Sequence, residues 1–122
     1  PGPVIFDFVN MMPSDLFGAF ANPTRLRILN LLGAQKEVCV CDLCEVLDEL
    51  QPKVSRHLAI LRDAELVQVR TDGKWKFYAL AQPGTALHRT LLRCVASCLG
   101  EFDELAADRE RLDGIEQRLR CD

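Results

Sequence analysis

The sequence has little of what marks a membrane, secreted or phosphate-handling protein. No stretch approaches the roughly 18 consecutive apolar residues of a membrane span. The apolar opening over residues 1–12 lacks the basic region of a signal peptide. A glycine-rich phosphate loop is also missing. We therefore expect a cytoplasmic protein that has no membrane partner and is not an enzyme.

Positive charge is in deficit. The 15 Lys and Arg are outnumbered by 18 Asp and Glu, and a net charge of −3 argues against a protein that coats nucleic acid without specificity. The charge is uneven, however, because residues 37–49 carry five acids and no base, whereas residues 51–76 carry six bases against three acids. A local basic island inside an acidic chain is a candidate phosphate-binding face.

Cysteine is the residue that stands out by its presence. The chain has six cysteines, and Cys39, Cys41 and Cys44 lie within six positions. Neighbours this close do not easily form a disulfide, which requires particular Cα separations and Cβ directions. Without a secretory signal, cysteines serve more often as ligands or redox groups. Three thiols at this spacing suit a soft, three-coordinate ion, whereas a structural zinc site would need a fourth ligand.

Residues 42–64 have the pattern of a helix-turn-helix. A first helix is predicted to begin at about Cys41 or Asp42, and a second at Gln51-Pro52, where proline is favoured in the first turn. The second would be the recognition helix. Its predicted faces are Val54, Leu58, Leu61 and Glu65 on the buried side and Pro52, Ser55, Arg56, Ala59 and Asp63 on the other.

Residues 66–80 predict a β-hairpin, because the Asp72-Gly73 pair between two β-rich runs is a strong hairpin signal. Trp75 and Phe77 alternate with basic residues, and we expect them to pack between the wing and the core. The predicted fold class is therefore mainly α with a small β-hairpin wing (α+β): a winged helix-turn-helix in a single domain over residues 1–122.

A long C-terminal helix is predicted over about residues 86–118. Its apolar stripe has little within so small a domain to pack against, so we expect it to pair with a second copy in a homodimer. The stripe consists of Leu87, Leu91, Val95, Cys98, Phe102 and Leu105.

Four segments together resemble the ArsR/SmtB family, in particular its arsenical-resistance repressors. They are Asn22-Pro-Thr-Arg-Leu-Arg-Ile28, Cys39-Val-Cys-Asp-Leu-Cys44, Gln51-Pro-Lys-Val-Ser-Arg-His-Leu58 and Asp72-Gly-Lys-Trp75. The first also carries a helix-start signal at Asn22-Pro23. The resemblance implies a homodimeric winged-helix repressor that binds double-stranded operator DNA and releases it when As(III) or Sb(III) binds. It implies no permanent cofactor, and its inducer ligands map to Cys39, Cys41 and Cys44.

The chemistry of these thiols fits that resemblance. Trivalent arsenic takes three thiolates in a pyramid. Cys41 and Cys44 approach each other across a first helical turn, and Cys39 lies at the end of an extended segment. We expect the helix N-terminus to lower the thiol pKa values.

The DNA-binding candidates lie in the basic island. Ser55 and Arg56 are expected to contact base edges and phosphates, with Lys53 on a phosphate. His57 lies near the edge of the buried face, so packing and DNA contact both stay open for it. The wing residues Arg70, Lys74 and Lys76 are expected to contact phosphates, which gives affinity and salt dependence rather than sequence choice.

Several roles stay open for the other three cysteines. Cys94 and Cys98 are four apart on a predicted helix and face the same way. With Cys121 they could form a second thiol site, or they could partner the first cluster in a redox switch, although packing in an apolar dimer core is favoured. Alternative functions are a thiol-based sensor of Cd, Pb or Bi and a redox- or persulfide-sensing repressor of the same fold. A phosphatase-like arsenate reductase is disfavoured, because no cysteine is followed six residues later by Arg.

Overall fold

The computed structural model describes residues 12–82 and 84–121, with side chains as far as Glu116. Its elements are α1 (Pro13–Phe20), α2 (Pro23–Ala34), β1 (Val38–Cys39), α3 (Val40–Leu47), α4 (Gln51–Asp63), β2 (Val67–Asp72), β3 (Trp75–Leu80), α5 (Ala86–Cys98) and α6 (Asp103–Cys121). The fold is mostly helical with one small antiparallel sheet, which confirms the predicted fold class. Within these ranges, no helix combines the length and apolar character needed to cross a membrane.

Helix α2 lies at the centre of the fold. Its start is fixed as predicted, because the Asn22 side chain accepts a hydrogen bond from the Arg25 backbone N–H at 3.0 Å and Pro23 occupies the first turn. The helix packs against α4, α5, α6 and β3. Ile28 is fully buried because α2 is covered on several sides.

Helices α3 and α4 form the predicted helix-turn-helix. The break between them is made by Asp48, whose φ of 54° ends α3 in the left-handed region. Val54, Leu58 and Leu61 are fully buried, as the helical spacing predicted. Glu65 was predicted on the same face. It lies beyond the end of α4 instead, in a turn with a φ of 61°, and is only partly buried.

The hairpin forms as predicted but belongs to a sheet of three strands. Gly73, with a φ of 62°, turns the chain between β2 and β3. The third strand is β1, which pairs antiparallel with β3 so that Val38 is opposite Tyr78 and Cys39 is opposite Phe77. The strand that ends at Cys39, the first residue of the cysteine cluster, is therefore hydrogen-bonded to the wing.

The C-terminal region forms two helices where the sequence predicted one. A 3-10 turn over Leu99–Glu101 ends α5, and Phe102 is extended before α6 begins at Asp103. The turn lets α6 fold back onto α2 and α3. Leu105, Leu112 and Ile115 are thereby buried within the same chain. Much of the C-terminal apolar surface thus has partners that a single straight helix could not reach.

A buried polar cluster ties α6 to α2. The carboxylate of Asp108, which is fully buried, accepts hydrogen bonds from Arg27 Nε at 2.7 Å and Arg27 Nη2 at 3.0 Å. Asn30, also fully buried, donates to the Leu105 carbonyl at 2.9 Å and accepts from Arg109 Nε at 2.8 Å. Buried polar groups satisfied in this way fix one packing arrangement.

Candidate thiol site and nucleic-acid interface

The three clustered cysteines lie where β1 becomes α3. Cys39 is buried and is the N-cap of α3, Cys41 is exposed in its first turn, and Cys44 is half-buried one turn further on. Because β1 is two residues long and α3 follows at once, the helix begins at Val40, one or two residues earlier than the sequence predicted. Two of the thiols therefore belong to a regular helix and one to the end of a strand.

Cys39 is the thiol that lies near both others. The Cys39 thiol contributes to raising the pKa values of both Cys41 and Cys44. Across residues 12–82 and 84–116, however, no three His, Cys, Asp or Glu side chains are arranged to hold a metal ion. The thiols are neighbours without forming a ready-made three-ligand site.

The electrostatics of these thiols differ from the prediction. Desolvation at the junction raises the pKa of Cys41 to about 11, although the residue as a whole is exposed, and the Cys39 thiol and the Asp42 charge add to this. The pKa of Cys44 is also raised, by desolvation and by Cys39. A backbone hydrogen bond at the start of the helix lowers the pKa of Cys41 but is outweighed. The expected net lowering by the helix N-terminus was wrong, because desolvation acts against it.

The segment that carries the three clustered cysteines, residues 39–44, belongs to elements that contact both the recognition helix and the wing. Helix α3 packs against α4, and β1 pairs with β3 of the wing. Val40, between the first two cysteines, lines a groove of about 570 Å³ between α4 and the wing. The other lining residues are Gln51, Ser55, Ala59, Arg62, Asp63, Lys74, Lys76 and Tyr78.

The recognition helix presents several of the predicted residues to solvent. Ser55 and Arg56 are exposed, and Ser55 lines the groove. Lys53 is half-buried and forms an ion pair with Glu49 at 2.9 Å. Arg62 is also exposed and lines the groove, although we did not single it out from the sequence. Its spacing of seven residues from Ser55, two helical turns, was the signal that could have placed it on the same face.

His57 lies inside the fold. Its side chain is 8% exposed, and Nδ1 lies 3.3 Å from Nη1 of Arg25. Arg25 in turn donates to the carbonyl oxygens of Ala19 at 2.8 Å and Gly18 at 3.2 Å. Since the guanidinium can only donate, Nδ1 accepts and carries no proton in this contact. Of the two roles left open for His57, this geometry favours packing, and Arg25 is the partner that the sequence did not reveal.

The basic residues of the wing differ in the contacts that their side chains make. Arg70 forms an ion pair with Glu37 at 2.5 Å, and its guanidinium lies 4.6 Å from the centre of the Phe77 ring. The hydrogen bond from Arg70 holds the pKa of Glu37 below its usual value. Lys74 and Lys76 are exposed and line the groove.

Trp75 was expected to pack between the wing and the core, and this was wrong. It is 49% exposed beside the hairpin turn, where the Lys74 ammonium lies 5.6 Å from the centre of its ring. The hairpin extends away from the core, so a residue next to its turn has no core surface within reach. Phe77, two residues closer to the core, is partly buried.

The second group of cysteines lies apart from the first. Cys94 and Cys98 are exposed on α5, and the neighbouring Cys98 thiol raises the pKa of Cys94. The Cys121 side chain lies outside the described residues, so its predicted role there stays a prediction. The five described cysteines, from Cys39 to Cys98, are all free thiols.

Comparisons with known proteins bear on the family of this chain. The family model described as "Bacterial regulatory protein, arsR family" matches residues 22–69. The chain is 51% identical over 71 residues to the arsenical resistance operon repressor of Escherichia coli (strain K12), covering 58% of this chain and 61% of that protein. It is 45% identical over 65 residues to an uncharacterized HTH-type transcriptional regulator of Methanocaldococcus jannaschii, covering 53% and 73%.

The fold comparison points the same way. The structure of reduced HlyU from Vibrio cholerae N16961 matches with a TM-score of 0.58 and 31% identity, covering 70% of this chain and 87% of that chain. The two curated proteins are described as a repressor and a transcriptional regulator, in agreement with the winged helix-turn-helix described above. The chain therefore belongs to the ArsR family of bacterial regulatory proteins.

Proposed function

We propose that this protein is a cytoplasmic repressor of arsenical-resistance genes. It binds operator DNA as a homodimer and dissociates when As(III) or Sb(III) binds Cys39, Cys41 and Cys44. The observation that carries the proposal is the position of the thiols, at the junction between a strand paired with the wing and a helix packed on α4. The similarity to the arsenical resistance operon repressor of Escherichia coli supports the identity of the inducer.

Inducer binding is a condensation. Each thiol gives its proton to a hydroxide leaving arsenic, so three As–O bonds break, three As–S bonds form and three waters are released without a change of oxidation state. The product is a pyramid of three soft sulfur ligands, the ligand type that such an ion prefers. Exposed Cys41 is the natural first point of attack, and its neighbour Cys39 is the second.

Closing the pyramid requires movement at the start of α3. Cys39 is at the end of β1 and Cys44 is inside the helix, and these residues are not arranged as a three-ligand site. In this proposal, drawing all three sulfurs together unwinds the first turn of α3 or pulls β1 away from Phe77. Both movements displace Val40, which lines the groove between α4 and the wing.

This movement is how the inducer would reach the DNA-binding surface. Ser55 on α4 and Lys76 on the wing line the same groove as Val40, so their relative position depends on the thiol segment. By linkage, DNA that selects the undistorted arrangement weakens arsenic binding by the same factor by which arsenic weakens DNA binding.

Apolar surface that remains exposed supports a dimer. Phe17 is 50% exposed and Phe102 is 62% exposed. Phe102 and Phe20 also line an apolar groove of about 520 Å³ where α1 and α2 meet the α5–α6 turn. An exposed apolar groove is a candidate interaction surface, and a twofold copy suits a palindromic operator. Sedimentation velocity of Phe102→Asp tests this: a shift from dimer to monomer is expected, and an unchanged dimer would exclude this surface.

The decisive experiment measures operator release. Fluorescence anisotropy of a labelled promoter duplex is followed with the reduced protein during titration with arsenite, antimonite, cadmium or peroxide. We expect release by micromolar arsenite or antimonite in the wild type. Cys41→Ser should bind the duplex as well as the wild type but not be released.

Cys94→Ser is the matched control, since it removes an exposed thiol of α5 and should leave release intact. Normal release of Cys39→Ser, Cys41→Ser and Cys44→Ser would refute the proposed site. Release by cadmium alone would move the protein to the divalent-metal sensors, and release by peroxide alone would make the thiols a redox pair.

A further inference from the structure

The thiols of Cys94 and Cys98 form a pair that the proposed function does not use. The two residues are four apart on α5, and both are exposed. Side chains at this spacing lie on the same face of a helix. The buried face of α5 carries His88, Leu92 and Val95, so the pair faces away from the core of its own chain.

This geometry disfavours a disulfide. Side chains four apart on a helix have Cβ atoms about 5–6 Å apart, whereas a disulfide needs a Cβ separation of about 3.5–4.5 Å. Oxidation would therefore have to distort α5, whose face packs closely on α2: a Cβ added at Gly33 would lie only 3.0 Å from the Cα of Ala96. An atom bonded to both sulfurs spans the wider separation and leaves the helix intact.

The number of ligands limits what such an atom can be. Among residues 84–116, as in the rest of the described chain, no third His, Cys, Asp or Glu completes a three-ligand group around this pair. A trivalent ion that needs three protein ligands therefore finds only two at this pair. A trivalent arsenic that already carries one organic group has only two exchangeable positions, so two thiols saturate it.

We propose that Cys94 and Cys98 form a second binding site, specific for monosubstituted trivalent organoarsenicals. In the reaction, two As–O bonds break and two As–S bonds form. Each thiol passes its proton to a departing hydroxide, two waters leave and the As–C bond stays intact. Arsenic remains trivalent, so no oxidant or reductant is consumed. The site lies on a different helix from the thiols of α3 and goes beyond the proposed function.

The test uses phenylarsine oxide as the probe and native mass spectrometry of the reduced full-length chain. The parent variant carries Cys41→Ser and Cys44→Ser, which leaves Cys39 as the single thiol of the first cluster. We expect one phenylarsenic adduct per chain in this parent. The adduct should resist excess glutathione, because a second bond within one molecule raises avidity by about 100-fold or more. Adding Cys94→Ser or Cys98→Ser should remove that resistance.

Two controls keep the result specific. Adding Cys121→Ser to the parent should leave the adduct unchanged. Combining Cys94→Ser with Arg93→Cys keeps two thiols on exposed positions but spaces them five apart, which turns them away from each other, and the resistance should be lost. Circular dichroism of each exposed-site variant should match that of the parent.

An adduct that resists glutathione equally with and without Cys94 would overturn the proposal, as would one that depends on Cys121. The outcome is independent of the α3 site. If α3 does not bind arsenic, the parent still takes up one phenylarsenic group; if the α5 pair does not bind, operator release by arsenite still follows Cys41.

Discussion

Replacing Asp108 by Ala is expected to lower the free energy of unfolding by about 3 kcal/mol. Its buried carboxylate accepts two hydrogen bonds from Arg27, at 2.7 and 3.0 Å, and a further one from Arg111. Removing it leaves the Arg27 guanidinium, whose side chain is 23% exposed, without its main partner. Loss of one member of a buried pair costs about 3–5 kcal/mol, and the lower end applies because water reaches Arg27 from one side.

Thermal unfolding followed by circular dichroism measures this loss. For 122 residues, a change of about 3 kcal/mol corresponds to a decrease in Tm of roughly 12 °C. Asp113→Ala is the matched control, because it removes the same charge from an exposed position on the same helix. We expect it to change stability by no more than about 0.5 kcal/mol. Equal Tm values for the two variants would refute the reasoning and show that α6 is not held by this pair.

Three further predictions concern the core and the DNA-binding surface. Leu58→Ala, at a fully buried position, should cost about 2–5 kcal/mol in urea unfolding, and a loss below about 1 kcal/mol would contradict its packing. Burial and the charge of Arg25 lower the pKa of His57 below its ordinary value of 6.5. The stability gained by keeping His57 neutral in the folded protein is therefore complete above pH 6.5. It is lost as the pH falls through the pKa that His57 has in the folded protein. His57→Gln should flatten the fall in unfolding free energy on the acidic side, and an unchanged pH profile would argue against this assignment. In operator titrations at several salt concentrations, Lys76→Ala should reduce the slope of log affinity against log salt by about 1 and keep sequence preference. Ser55→Ala should keep the slope and alter the preference, and the reverse pattern would exchange the two roles.

Local patterns in the sequence were sufficient to predict the main elements. Asn22-Pro23 fixed the start of α2, the apolar spacing of Val54, Leu58 and Leu61 oriented α4, and Asp72-Gly73 placed the hairpin turn. Each depends on capping, helical periodicity or turn geometry, which act over a few residues and can therefore be read from neighbouring positions. The resemblance to the ArsR/SmtB family rested on the same short segments.

The tertiary structure decided what depends on distant residues. No local signal pairs Cys39 with Phe77, buries His57 against Arg25 or folds α6 back so that Asp108 meets Arg27. Nor does the local position of Cys41 at a helix N-terminus give its pKa, because desolvation by the surrounding fold outweighs the effect of the helix. The sequence by itself determined the elements and the presence of three clustered thiols. Their placement between the wing and the recognition helix was decided by strand pairing and packing across the chain, since these depend on which surfaces meet.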